Sequence, residues 1–344
     1  MYSFANDYSE GAHPDILEAL CKTNLEQLPG YGADHYCQQA SDLIATACGK
    51  YHPTVYFLAG GTQTNAVVIS SMLRPYQGVI CASTAHIAVH EAGAIEWTGH
   101  KVLPLPSTEG KISAPSVQSY LESFFDDPTH EHMVWPGMVY LSQPTEYGTL
   151  YSYSEMKSIS DVCRAFHIPL YIDGARLIYA LESPANDISL EDMCELTDAF
   201  YIGGTKAGLL CGEAVVFPKE NTPAGFITMV KQKGAMMAKG RVLGIQFYSL
   251  FSGQLMHDIG KHGIDAAEKL KSVFHKHCIP FFLETPTNQQ FVVLSREQAA
   301  KLSEQFVFER WEVLENDMCA YRFVTSWATD DEAIIALDRF LNTL

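Results

Sequence analysis

The sequence predicts an α/β fold, a mostly parallel central sheet with helices on both faces, followed by a smaller C-terminal α+β domain. Three observations predict it. Short apolar runs alternate with amphipathic helical stretches from Val55 to Phe217, the pattern of strands joined by helical crossovers. One run, Leu170-Tyr171-Ile172, is too short for a helix and ends on Asp173-Gly174-Ala175-Arg176. That places charge at the carboxyl end of a buried strand, where open α/β sheets build their sites. Past residue 255 the pattern changes to a compact strand–helix–strand–helix unit, so the chain divides into 1–255, including an N-terminal arm, and 256–344.

In order, a helix is predicted from Pro14 to about Lys22, with proline suited to the first turn, and a second from Ala33 to Ala47, with Cys37, Ala40, Ile44 and Ala47 on one stripe. Strand Val55–Leu58 turns through Gly60-Gly61-Thr62 into helix Ala66–Leu73, and strands Val79–Cys81 and Lys101–Leu105 follow. Helix Pro115–Phe125, a loop from Asp126 to Pro136, strand Met138–Leu141 and helix Ser154–Phe166 precede the Asp173 strand. Strands Phe200–Ile202 and Glu213–Phe217 complete the sheet. Pro223 to about Gly253 reads as helical but interrupted at Gly234 and Gly240, and a long helix runs from about Gly260 to His277. The last unit holds strand Phe291–Leu294, helix Glu297–Phe306, strand Ala320–Thr325 and helix Asp331–Leu341.

Composition bounds the function. With 344 residues, 47% hydrophobic and 18% charged, the chain suits a compact enzyme with a large core. A net charge of −17 argues against nucleic acid as a partner, because phosphate binding needs clustered cations. No apolar run approaches the ~18 residues of a membrane span. The start, Met1 to Asp7, has neither the basic nor the apolar block of a signal peptide. Nine cysteines without a Cys-x-x-Cys pair read as reduced thiols of a cytoplasmic protein.

Asp173 alone would serve as a helix cap. Arg176 adds a cation at the positive end of the helix dipole, a placement that calls for an anion from elsewhere. Further on, Tyr201-Ile202-Gly203-Gly204-Thr205-Lys206 runs a strand into a glycine-rich turn. Alone, Lys206 reads as an exposed turn lysine. Next to apolar walls it can lose its proton and become a nucleophile. A strand-end acid together with a strand-end lysine is the pair that pyridoxal 5'-phosphate requires, the lysine to bond its aldehyde and the acid to hold its ring nitrogen protonated. Gly61 and Thr62, at the start of a helix, offer backbone N–H groups to a phosphate. His86, His90 and Glu91 lack the order of a zinc motif, so no metal is expected, and His86 is better used flat against a cofactor ring. Ala235 to Arg241 is rich in methionine, a core filler, and its cations Lys239 and Arg241 could alternatively meet a phosphate. Arg322, between Tyr321 and Phe323, either snorkels outward or points at an anion in the cleft.

Together these residues resemble the threonine aldolase and β-eliminating lyase family of fold-type-I pyridoxal phosphate enzymes, nearly end to end. Gly61-Thr62-Gln63-x-Asn65, Ala85-His86 with Glu91-Ala92-Gly93, Asp173-Gly174-Ala175-Arg176, Lys206 and Arg322 carry the resemblance. It implies Lys206 as the cofactor lysine, Asp173 at the pyridine nitrogen, His86 stacked on the ring, and Gly61 and Thr62 at the phosphate. It also implies that Arg176 and Arg322 receive the substrate carboxylate, with Asn6 near it. Tyr31 and Lys239 fall where family members lend residues to a neighbouring subunit, so a homodimer or homotetramer with shared sites is implied. Departures cluster at the side-chain end of the substrate. The chain reads Thr205-Lys206-Ala207 for the usual Ser-Lys-Gly, Gln143-Pro144-Thr145-Glu146 for Glu-Asn-Thr-His, and Asn6-Asp7-Tyr8 for Ser-Asp-Thr. Lys239 replaces a common arginine. The resemblance implies cleavage of a threonine-like β-hydroxy-α-amino acid to glycine and an aldehyde, with His86, helped by nearby His130 or His132, passing the hydroxyl proton. β-Elimination from a β-substituted amino acid is the alternative, and a non-catalytic binding role the remote one.

Overall fold

The computed structural model describes residues 1–343. Strand β1 (Tyr2–Ser3) is followed by α1 (Pro14–Thr23), with its proline in the first turn, and α2 (His35–Ala47), capped by Asp34 accepting from the Cys37 N–H at 3.0 Å. Then come β2 (Thr54–Leu58), α3 (Gly61–Met72), β3 (Gln77–Ala82), the single turns α4 (His86–Val89) and α5 (Ala94–Trp97), and β4 (Val102–Leu105). Next are α6 (Ala114–Asp126), β5 (Trp135–Ser142), α7 (Tyr153–Ala165), β6 (Leu170–Asp173), α8 (Leu177–Glu182), α9 (Leu190–Leu196), β7 (Ala199–Gly203) and β8 (Glu213–Phe217). Helices α10 (Phe226–Gln232), α11 (Arg241–Phe251) and α12 (Leu255–Lys276) lead to the C-terminal unit. That unit holds β9 (Phe281–Leu283), β10 (Gln289–Ser295), α13 (Arg296–Leu302), β11 (Phe306–Val307), β12 (Glu309–Val313), β13 (Met318–Val324) and α14 (Asp331–Leu341).

The main sheet has seven strands in the order β2-β8-β7-β6-β5-β3-β4, all parallel except β8, which runs against both neighbours. Its strands are buried along their length, as a sheet covered by helices on both faces requires. From β3 the chain steps outward to β4, then returns to β5 on the other side, so the carboxyl ends of β3 and β5 flank a crevice. A second sheet, β12-β13-β10-β9, is antiparallel and sets Phe291 opposite Arg322. This is the α/β fold with a smaller α+β unit that the alternation predicts.

Two apolar cores exist, one around the main sheet and one beneath the small sheet. Helix α12, about 33 Å long, serves both: Ile259 packs in the first, and Leu270 and Phe274 in the second. The first four residues lie with the small unit rather than the large one. There β1 pairs with β11 and Phe4 is fully buried among Phe306 and Phe323.

The interrupted stretch resolves into two helices, α10 and α11, with residues 233–240 folded back between them. A Cβ at Gly240 would stand 2.3 Å from the Gly32 nitrogen, so the break lets this segment touch the Tyr31 loop. Several elements escaped the periodicity, the short β1, α4, α5, β9 and β11 among them, and two others are informative. Helix α9 is seven residues long, although its Ser189/Asp192 capping box was readable. Strand β12, Glu-Arg-Trp-Glu-Val, is a charged edge strand, the composition that keeps edges from pairing with other chains.

Candidate active site

The carboxyl ends of β2, β3, β5, β6 and β7 enclose a cavity of about 300 Å³ whose walls include Tyr8, Gly60, Gly61, Thr62, Asn65, His86, Glu91, Glu146, Asp173, Arg176, Lys206 and Glu213. Its centre is Asp173, 5% exposed. Tyr201 donates to Oδ1 at 2.5 Å and the Ala175 N–H at 3.0 Å; Tyr140 donates to Oδ2 at 2.6 Å and the Asn65 amide at 3.0 Å. Burial alone would raise its pKa, but the Tyr140, Tyr201 and Asn65 hydrogen bonds outweigh it and hold the carboxyl below its ordinary value. Asp173 is therefore kept as an anion by the protein itself. In return the buried phenols are pushed up, by burial first and by Asp173 second, and stay protonated as donors.

Asn65, on α3, gives its amide nitrogen to two acids, Asp173 and Glu91 Oε1 at 2.8 Å, while its oxygen accepts from Tyr171 at 2.9 Å. The same Glu91 oxygen meets His86 Nδ1 at 2.8 Å. A carboxylate there favours the proton on Nδ1, leaving Nε2 as the acceptor.

Lys206 follows β7, and no side chain among the described residues bonds its Nζ. Burial lowers its pKa, Arg176 lowers it further, and Asp7, Asp173 and Glu213 oppose them. Glu213 Oε1 accepts from Thr205 at 2.8 Å; burial raises this carboxyl to about 8, with the Thr205 hydrogen bond and the Lys206 charge opposing. At the start of α3, Gly60 provides no side-chain cap, so the first N–H groups of a twelve-residue helix face the cavity unclaimed by side chains.

The anion that Arg176 called for is internal. Asp7 takes its Nε at 2.6 Å and its Nη2 at 2.9 Å, and Asn288 donates to the same carboxylate at 2.9 Å. Two of the three Arg176 nitrogens are thus committed to Asp7, and Nη1 is left over. Arg322 is 8% exposed and outside the cavity wall. It bonds Gln289 at 3.0 Å and Glu309, and stacks 5.0 Å from the Trp311 ring, so it does not snorkel. Its Nε is buried without a partner. Burial and the nearby Arg176 charge lower its pKa.

Several expected residues lie elsewhere. The Asn6 side chain closes its own turn, accepting from the Tyr8 N–H at 3.0 Å and from Ser9 at 2.9 Å; Tyr8 takes the place at the wall. Tyr31 borders a separate cavity of about 210 Å³ with Met236 and Met237, and lies under Lys231 at 4.4 Å. Lys239 is exposed, and Arg241 is spent on the backbone carbonyls of Thr23 and Glu26. His130 packs against Trp135, in a turn with His132, away from the cavity. Among the described residues no three His, Cys, Asp or Glu side chains are placed to hold a metal ion.

Sequence reading missed Asp7, Tyr140, Tyr201, Glu146 and Glu213 as parts of the site. The tyrosines and Glu213 sit within strands and read as core pattern. Glu146 was visible as a departure from the family motif, though not as a cavity residue.

Comparison with known proteins agrees with this geometry. The family model described as Beta-eliminating lyase matches residues 5–297. A low specificity L-threonine aldolase from a Pseudomonas species is 31% identical over 285 residues, covering 78% of this chain and 77% of that one. Another, from Pseudomonas aeruginosa, is 29% identical and covers 98% and 96%. The solved threonine aldolase of Leishmania major superposes with a TM-score of 0.95 at 40% identity, covering 100% of this chain and 98% of that one. With the match spanning both the cavity residues and most of the chain, this protein belongs to the β-eliminating lyase family.

Proposed function

We infer that the chain is a carbon–carbon lyase that cleaves a threonine-like β-hydroxy-α-amino acid to glycine and an aldehyde, using pyridoxal 5'-phosphate. One observation carries the reading: an acid held ionised, Asp173, and a lysine of lowered pKa without a partner, Lys206, face one cavity beside an uncapped helix start. The likeness to threonine aldolases supports the choice of reaction.

The residues present fit the cofactor. Lys206 would hold its aldehyde carbon, Asp173 its ring nitrogen, and the N–H groups at Gly61 and Thr62 its phosphate, with His86 against the ring. When bound, the cofactor supplies an electron sink for the pair released at the amino-acid α-carbon. The chain's own groups do the rest. Asp173 keeps a negative charge at the cavity floor, and His86, its Nδ1 bonded to Glu91, offers Nε2 as a proton acceptor. The remaining Nη1 of Arg176, at the cavity wall, is a donor suited to a substrate carboxylate, while Arg322 is held outside the wall by Gln289 and Glu309.

In the proposed assembly, residues 1–255 and 256–344 act as two domains of a cytoplasmic homodimer or homotetramer. Tyr31 and Lys239 then belong to a neighbouring subunit's site, Lys239 toward the cofactor and Tyr31, with Asn6, toward the substrate. Their position away from this chain's own cavity supports that role. Nine unpaired cysteines suit a reducing compartment.

The test is a product assay on threonine, allo-threonine, phenylserine and β-substituted amino acids carrying a leaving group. Glycine plus an aldehyde is expected, whereas pyruvate plus ammonia would replace cleavage by β-elimination. Borohydride treatment of the coloured enzyme is expected to abolish its visible band and label the Lys206 peptide.

A further inference from the structure

One carboxyl group in the cavity has no part in the aldol cleavage as proposed, and the role assigned to it rests on that reaction. Glu146 stands in the turn after β5 and lines the cavity together with Lys206, Asp173 and His86. Its Oε1 is fixed by two donors, Ser142 Oγ at 2.7 Å and the His86 backbone N–H at 2.8 Å. No other described residue donates to Oε2, and that atom is not among the sealed, unsatisfied ones. One oxygen is pinned and the other is left open, which is how a proton acceptor must be held to meet a substrate without rotating away.

Its surroundings suit the task. The titratable groups facing it are Cys81 from β3, Tyr140 from β5, Tyr151 beyond it, Asp173 from β6, and His86. Lys206 and Arg176 line the same cavity, but among the described residues neither pairs with the Glu146 carboxylate to lock it as a spectator anion. Burial raises its proton affinity, the Ser142 hydrogen bond opposes this, and the Asp173 charge adds to the rise.

We propose that Glu146 is a further catalytic residue, the base that removes the β-hydroxyl proton of the substrate through Oε2. The O–H bond breaks and its electron pair becomes the second carbon–oxygen bond of the aldehyde. The Cα–Cβ pair stays with the α-carbon, which takes one proton from solvent while Glu146 returns the hydroxyl proton to solvent, so atoms and charge balance without an oxidant or reductant.

The test uses the holoenzyme of Glu146→Gln, whose amide oxygen keeps both acceptor contacts but cannot take up a proton near neutral pH. Two rates are read, threonine cleavage and the exchange of glycine α-protons with deuterated solvent, which involves no hydroxyl. Cleavage is expected to fall about 10²- to 10⁴-fold while exchange stays within about twofold. An unchanged cleavage rate, or an equal fall in both, overturns the proposal. In Ser142→Ala the loss of one hydrogen bond is expected to move the acid limb of the kcat–pH profile upward by roughly half a unit; an unmoved limb also overturns it. Wild-type enzyme that yields pyruvate instead of aldehyde would remove the parent reaction itself, an outcome visible before any variant is made.

Discussion

Asp173 shows what single residues contribute here. Four donors hold it ionised, so replacing it by the near-isosteric asparagine keeps the shape while removing the charge. Asp173→Asn is expected to fold, bind cofactor and lose turnover by orders of magnitude; near-normal kcat would take Asp173 out of the chemistry. The buried Asp7–Arg176 pair predicts a stability effect. Burial raises the Asp7 pKa, but Arg176, Lys206 and the hydrogen bonds bring it below its ordinary value. A carboxyl depressed in this way stabilises the fold above its unfolded pKa of about 3.9 and loses that contribution as pH falls through the lower, folded value. Asp7→Asn should therefore cost about 3–5 kcal/mol at pH 7, because Arg176 is left buried and uncompensated. In urea titrations the gap to wild type should hold down to about pH 4 and narrow below it. A pH-independent gap would assign the loss to shape alone. Asp173 and Lys206 were legible because each puts a charge where an apolar strand stops. Asp7 was not, because its partner is 169 positions away and nothing local marks the pair.

Elements were legible in proportion to their length and burial. Strand β8 and helix α14 begin and end where the pattern placed them, since each is bounded by a clear change of polarity. Helix α3 starts at Gly61, five residues before the apolar pattern does, because its first turn is built for the cavity rather than the core. The junction of β6 and β7 is the tightest point of the scaffold. A Cβ on Gly174 would lie 1.9 Å from the Tyr201 carbonyl oxygen, and the Gly203 N–H bonds the Gly174 oxygen at 2.9 Å. Gly174→Ala must push the Asp173 turn off the Lys206 strand. We expect a loss of at least 1–3 kcal/mol in urea unfolding, as for overpacked cores, together with weaker cofactor binding; wild-type values in both would mean that the turn can yield.

At the scale of the whole molecule, the alternation of strand and helix made the architecture legible, while the second subunit's contributions are a proposal that rests on resemblance. Subunit mixing tests them. Lys206→Ala and Lys239→Ala proteins, each impaired alone, are expected to recover up to about a quarter of wild-type activity when co-refolded as random dimers. No recovery would place Lys239 outside any shared site. In the small unit Arg322, outside the cavity wall, is held by Glu309 and Trp311 on the edge strand β12. A polar edge with little periodicity thus fixes a buried arginine, and periodicity alone could not have said so.

The double donation of Asn65 has a consequence for how the site titrates. A single amide nitrogen spans two buried acids, with Tyr171 fixing its orientation from behind. That nitrogen ties Asp173 to Glu91, and Glu91 in turn carries His86. Asn65→Ala would take from Asp173 one of the donors that hold its carboxyl low, so its pKa would rise toward the ordinary value. At about pH 4 the variant would release fewer hydrogen ions on folding than the wild type, a difference that calorimetry in buffers of different ionisation heat can count.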